Sequence, residues 1–247
     1  MIAATGISKS FGRVRALDEF TVKMPAGRAF SLIGPNGSGK TTFLKCLLGT
    51  VIPDRGTLTL DGHDLLASPE PRGRIGYMPQ IGRYPDNLRV GQIFEMLTEI
   101  RDAGGGAPRR DTELIEAFDI EKIAQKPMRT LSGGTRQKVS ACVAFLFNPD
   151  VLVLDEPTAG LDPVSVEILK EKVLAERKRG KLILLTSHIL SDLDEITTDV
   201  LFLIEGRLRF SRPLDELRAE SGEEKLGRLI ARIMLEEAHS PSLDPAP

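Results

Sequence analysis

Residues Gly34, Pro35, Asn36, Gly37, Ser38, Gly39, Lys40, Thr41 and Thr42 form the run GPNGSGKTT, in which Gly34, Gly39, Lys40 and Thr41 satisfy the pattern G-x-x-x-x-G-K-[ST]. Glycines let the backbone curl until several N–H groups point at one anion, and a helix beginning behind them adds the positive end of its dipole. In such a loop Lys40 is the cation that reaches the β- and γ-phosphates of a nucleotide, and the Thr41 hydroxyl is an Mg²⁺ ligand. The flanks agree. The run RAFSLIG reads as a strand breaking into glycine, and KTTFLKCLLG carries Phe43, Leu44, Leu47 and Leu48 at helical spacing before stopping at Gly49.

Two further clusters carry chemistry. VLVLDE ends a buried strand on Asp155 and Glu156, where a parallel sheet delivers functional groups to its ligand crevice. Asp155 suits an Mg²⁺ site, held through water, and Glu156 suits a base that takes a proton from attacking water; two adjacent acids also serve as a plain helix cap. Phosphoryl transfer needs chiefly positioning and charge neutralisation, so metal, lysine and base form a sufficient set. LSGGT, at Leu131 to Thr135, opens a helix, and Ser132, Gly133 and Gly134 there offer a hydroxyl and free N–H groups as a second anion cradle. On its own this motif reads equally as a cap. Beside the phosphate loop it suggests two copies meeting head to tail, each nucleotide lying between one copy's loop and the other's LSGG.

These residues need a scaffold. Thr21 to Met24 and Thr57 to Leu60 alternate like strands, and Ala29 to Ile33 is a continuous apolar strand. From about Val90 to Asn148 the pattern turns helical, at VGQIFEMLTEIRDAG, TELIEAFDI and GTRQKVSACVAFLFN. After Val151 a strand (VLVLD), a helix (from Pro163), a strand (KLILLTS), a helix (SDLDEITTD) and a strand (VLFLIEG) alternate, which implies a mostly parallel, covered sheet. Leu226, Leu229, Ile230, Ile233 and Met234 form one apolar helix face. That face is expected to pack on its own domain, with a partner contact as the alternative, and the tail HSPSLDPAP is expected to be disordered.

Composition narrows the function classes. The 247 residues are 41% hydrophobic and 28% charged, as in ordinary globular proteins. With 33 Lys and Arg against 35 Asp and Glu, the formal charge is -2, so a phosphate-backbone grip on nucleic acid is not expected. Cys46 and Cys142 lie far apart, and His63, His188 and His239 are scattered, so neither a disulfide framework nor a zinc or copper site is indicated. No apolar run is long enough for a membrane span.

Together the motifs resemble the ATP-binding-cassette family of ATPases over residues 1–215. The resemblance implies an α/β fold: a P-loop NTPase core with a mostly parallel sheet, an antiparallel β subdomain and an inserted helical subdomain at about 88–148. A C-terminal helical extension at 216–238 and a tail at 239–247 would follow. It implies ATP and Mg²⁺ as ligands, with Phe11 of KSFG stacking on adenine. Gln80 of YMPQ would be the lid-coupling glutamine and an Mg²⁺ ligand, Asp162 of AGLD a cross-dimer residue, and His188 of TSH the γ-phosphate histidine. Thr135 departs from the family, which commonly has glutamine there.

The family's transporters place the pore in other subunits, so a separate integral membrane permease is the implied partner, docked on Gln80, Arg83, Tyr84, Pro85, Leu88 and onward to about Met96. A cytoplasmic, membrane-peripheral location and a homodimer or paired cassette follow from the same resemblance. The alternative is a soluble cassette ATPase serving cofactor or metal-centre assembly. EPTAGLDP and LSGG-x-RQ resemble exporter-type cassettes. The blocks GYMPQIGRYPDN, LSGGTRQKVSACVAFLFNPD and TSHILSDLDE resemble the cassette of the copper-linked maturation system for nitrous-oxide reductase.

Overall fold

The computed structural model describes residues 1–104, 110–187 and 190–239. Two sheets organise the chain. The first is antiparallel, in the order β2 (Val14–Met24), β1 (Ile2–Phe11), β4 (Arg55–Leu60), β5 (His63–Asp64). The second has six strands in the order β10 (Arg207–Pro213), β9 (Asp199–Ile204), β3 (Ala29–Ile33), β8 (Leu182–Thr186), β7 (Val151–Asp155), β6 (Ile75–Met78). All its pairings are parallel except that of the edge strand β10 with β9.

The second sheet is covered on both faces, which is why β3, β7 and β8 are continuous apolar runs rather than alternating ones. Phe30, Leu32, Val153 and Leu184 face the antiparallel sheet and helix α1 (Lys40–Leu47), where the Phe20 and Phe43 ring centroids lie 4.4 Å apart. Ala29, Ile33, Leu152, Leu154 and Leu185 face the opposite way, into a core completed by helices. These are α2 (Val90–Ala103), α3 (Glu113–Ala117), α4 (Gly133–Phe145), α5 (Pro163–Lys178), α6 (Leu214–Ser221) and α7 (Leu226–His239). This is the α/β architecture expected, with parallel core, antiparallel subdomain and inserted helices.

The apolar face of α7 is spent within the chain: Leu226, Leu229 and Ile230 are buried, and Ile233 and Met234 pack against the same core. One expected helix is absent. SDLDEITTD forms only a 3-10 turn, Leu190–Leu193, before β9 begins. Competing bonds explain it: the Thr198 hydroxyl takes the Ala29 N–H at 2.9 Å, Thr197 pairs with Ser31 at 2.6 Å, and Asp194 accepts from Leu226 N at 2.7 Å. All three partners are distant in the chain, so tertiary bonds override the local helical spacing of this segment.

Candidate functional site

Strand order assembles the site. The phosphate loop leaves the C-terminal end of β3, Thr186 ends the adjacent β8, Asp155 ends β7 with Glu156 behind it, and Gln80 follows β6. Neighbouring strands lie about 4.8 Å apart, so four consecutive strand ends span roughly 15 Å, about the length of a nucleoside triphosphate. Register fixes the level: Asp155 pairs with Thr186, and Met78 with Leu154. The result is a cavity of about 320 Å³ lined by residues 36–42, Gln80, Asp155, Glu156 and Thr186, with Val14 and Ala16 at one side.

Two glycines of the loop, Gly34 and Gly39, are sterically required. A Cβ on Gly34 would sit 2.1 Å from the Leu203 carbonyl oxygen, and one on Gly39 would sit 2.4 Å from that of Ala16, with Gly39 at φ 105°. Lys40 Nζ donates to the Gly34 and Pro35 carbonyls at 2.7 and 3.0 Å, which curls the cation back over the loop. Burial lowers its pKa, while Glu156 and Asp155 act in the opposite direction. The Ser38 hydroxyl is buried with no hydrogen-bond partner among the described residues. A cradle this tight, with a cation and an unspent hydroxyl, fits a phosphate chain. Thr41, Gln80 and Asp155 add the hard oxygen donors that suit Mg²⁺.

Glu156 is buried and sits at φ 51°, in the left-handed region that non-glycine residues avoid at a cost of about 1–2 kcal/mol. Thr186 holds it there: the Glu156 N–H donates to both the Thr186 carbonyl and hydroxyl at 3.1 Å. The same hydroxyl donates to Asp155 Oδ1. Thr186 therefore fixes the Asp155 carboxylate and the Glu156 backbone. Sequence reading missed it, because its partners are 30 residues away and only the β7–β8 register joins them. Val14 and Ala16 were missed for a similar reason.

Other expected residues stand apart from this cavity. Phe11 is 49% exposed at the end of β1, paired across the hairpin with Val14, and Lys9 lies over its ring at 5.5 Å. Ser132, Gly133, Gly134 and Asp162 do not line the cavity. Ser132 caps α4, accepting from Thr135 N at 3.2 Å and sharing a 2.8 Å bond with the Thr135 hydroxyl, so Thr135 has a local role of its own. Asp162 caps α5. His188 lies outside the described residues. On the expected docking surface Arg83 and Ile81 are exposed, whereas Tyr84 and Leu88 pack partly against the core.

A second acidic group, Asp111, Glu113 and Glu176, brings its oxygens within 4.8 Å of one another. It is already neutralised, since Lys172 Nζ contacts all three carboxylates. Among the described residues no helix is long and apolar enough to cross a membrane.

Comparison with known proteins bears on the family and the fold. The family model described as "ABC transporter" matches residues 17–159. The Nod factor export ATP-binding protein I of Ralstonia nicotianae is 32% identical over 84% of this chain and 65% of its own length. The daunorubicin resistance ATP-binding protein DrrA3 of Streptomyces coeruleorubidus is 32% identical over 91% of this chain and 72% of its own, so the chain spans about two thirds to three quarters of these relatives. Among solved structures, an ATP-binding subunit of an ABC transporter superposes with a TM-score of 0.85 at 27% identity, covering 95% of this chain and 99% of that one. The dimeric cassette MJ0796 gives 0.76 at 20% identity over 87% and 99%, a likeness of fold. A phosphate loop, an acid pair and a glutamine on consecutive strand ends, with the family match across them, establish that this chain belongs to the ABC transporter family as an ATP-hydrolysing cassette.

Proposed function

We propose that the chain is the nucleotide-binding subunit that powers a membrane transporter through a separate permease. The observation that carries the catalytic part is the single cavity holding the phosphate loop, Gln80, Asp155, Glu156 and Thr186. Residues 34–42 bind the phosphates of ATP, Lys40 neutralises the γ-phosphate, and Phe11 stacks on adenine beside Val14. Thr41, Gln80 and Asp155 hold Mg²⁺, which when bound supplies charge neutralisation at the phosphate oxygens. Glu156 takes the proton of the attacking water, and His188 contacts the γ-phosphate. Because Ser132, Gly133, Gly134 and Asp162 lie off the cavity of their own chain, they serve the nucleotide of a second copy docked head to tail. The chain divides into a cassette at 1–215 with its helical subdomain near 88–148, and an extension at 216–238.

Coupling to the permease falls to the exposed stretch after Gln80 and along α2, where Ile81 is 65%, Met96 37% and Ile100 64% exposed. Such apolar exposure suits a protein partner. The cassette then sits on the cytoplasmic face of a membrane. A cargo step in copper-centre maturation rests on motif resemblance only; the acidic group of this chain is closed by Lys172 and has no histidine or cysteine.

Affinity purification from membranes tests the coupling. Ile81→Asp combined with Arg83→Glu is expected to cut recovery of an integral membrane partner at least ~10-fold relative to wild type. Failure of the wild-type chain to bring down any such partner would favour the soluble assembly ATPase instead.

A further inference from the structure

The N-terminus of α4 and the loop that opens α5 touch. A Cβ on Gly134 would sit 2.5 Å from the Gly160 carbonyl oxygen, so the two backbones are in contact at a position where only glycine fits. One turn further along α4, Lys138 Nζ makes a 2.8 Å ion pair with Asp162 Oδ2 and lies 5.7 Å from the centre of the Phe118 ring, a cation–π contact. Asp162 is heavily engaged within its own chain. Its Oδ1 takes the Ser165 N–H at 3.0 Å, and its Oδ2 takes the Ser165 hydroxyl at 2.7 Å as well as Lys138. These bonds, Lys138 first, hold its carboxyl well below the usual range.

We propose that Lys138 is a positioning residue that, through Asp162 and the Gly134–Gly160 contact, locks the LSGG cradle and the AGLD loop into one rigid face presented to a second copy. This deepens the shared-site reading and rests on it. Within that reading Asp162 serves the second copy by capping and anchoring its own loop, which holds the exposed residues Gly160 and Asp162 in place. The Lys138 and Asp162 side chains are 25% and 52% exposed, and exposed pairs contribute little to folding. The pair therefore matters when a second copy covers it and removes its water, so its loss shows in association rather than in the fold or in nucleotide binding by a single chain.

Steady-state ATP hydrolysis measured against protein concentration tests this. A shared site makes specific activity rise with concentration to a plateau. Lys138→Ala is expected to raise the half-maximal protein concentration at least ~10-fold, with ATP affinity at high dilution within about twofold of wild type, and Lys138→Arg to restore the curve. Asp162→Asn keeps a good helix cap but loses the charge, so it should behave like Lys138→Ala. Wild-type curves for Lys138→Ala and Asp162→Asn would overturn the proposal. A flat curve for the wild type itself would instead remove the shared-site reading beneath it.

Discussion

Replacing Thr186 by Val removes one hydroxyl at almost constant volume from a site that is 2% exposed. Asp155 then loses its donor, and the Glu156 N–H keeps only the Thr186 carbonyl. A hydrogen bond to a charged group contributes about 1.5–3 kcal/mol. In the resting protein much of that is recovered, because Asp155 is partly exposed and water can replace the lost donor. Folding should therefore suffer by only about 1 kcal/mol. In the transition state both acids must be aimed, and misaiming them by the full amount lowers kcat about 10- to 100-fold. Contacts between the loop and the nucleotide are untouched, so KM for ATP should move less than about threefold. Thr186→Ser keeps the donor and is expected to stay near wild type. The assay is phosphate release at saturating Mg-ATP with a thermal melt alongside. A Thr186→Val chain with kcat within twofold of wild type would refute the idea that this hydroxyl aims the acid pair.

Four further outcomes are expected. Lys40→Ala removes the cation curled over the phosphate loop and should cost at least ~10²-fold in hydrolysis rate, read by the same phosphate assay. Lys172→Met leaves Asp111 and Glu176 short of their shared cation, a loss of about 3 kcal/mol, and should lower Tm by roughly 6–12 °C. The pH dependence of this network follows from two opposite shifts. Burial alone would raise the Glu176 pKa, but Lys181 and Lys172 pull it below 4.5, so its stabilisation is present above that pH and is lost as pH falls through the depressed value. Burial alone would lower the Lys172 pKa, but its carboxylates raise it above 10.5, so its stabilisation is lost only as pH climbs past that point. Melts between pH 3 and 11 should show both limbs. Finally, burial pushes the Cys46 thiol up to about 11 and raises Cys142 as well, and both are buried, so neither should react with a thiol reagent at pH 8 until denaturant is added.

What could be read from sequence was whatever local pattern decides. Ala29–Ile33 and Val151–Asp155 were legible because a strand covered on both faces is apolar at every position, and the glycines of the loop because their spacing is itself the motif. Strand β1, IAATGISKSF, was not legible: small and polar residues blur its alternation, and its register shifts repeatedly against β2. Thr186 was hidden because its function arises from pairing β8 beside β7. SDLDEITTD misled for the opposite reason, since its helical spacing is genuine but its polar side chains are claimed by β3 and α7. Leu88 looked like an exposed docking residue in the sequence, yet it packs against the core, which moves the weight of that surface to Ile81 and Met96.

The shared site is tested most directly by the mass of the Glu156→Gln chain in sedimentation with and without ATP and Mg²⁺. Gln keeps the shape of the buried side chain but cannot take the proton, so ATP binds and is not turned over. A monomer of 27.0 kDa without nucleotide that becomes a stable dimer holding two ATP is the expected result. A chain that binds ATP yet stays monomeric at high protein concentration would contradict a nucleotide held between one copy's Lys40 loop and the other copy's Ser132.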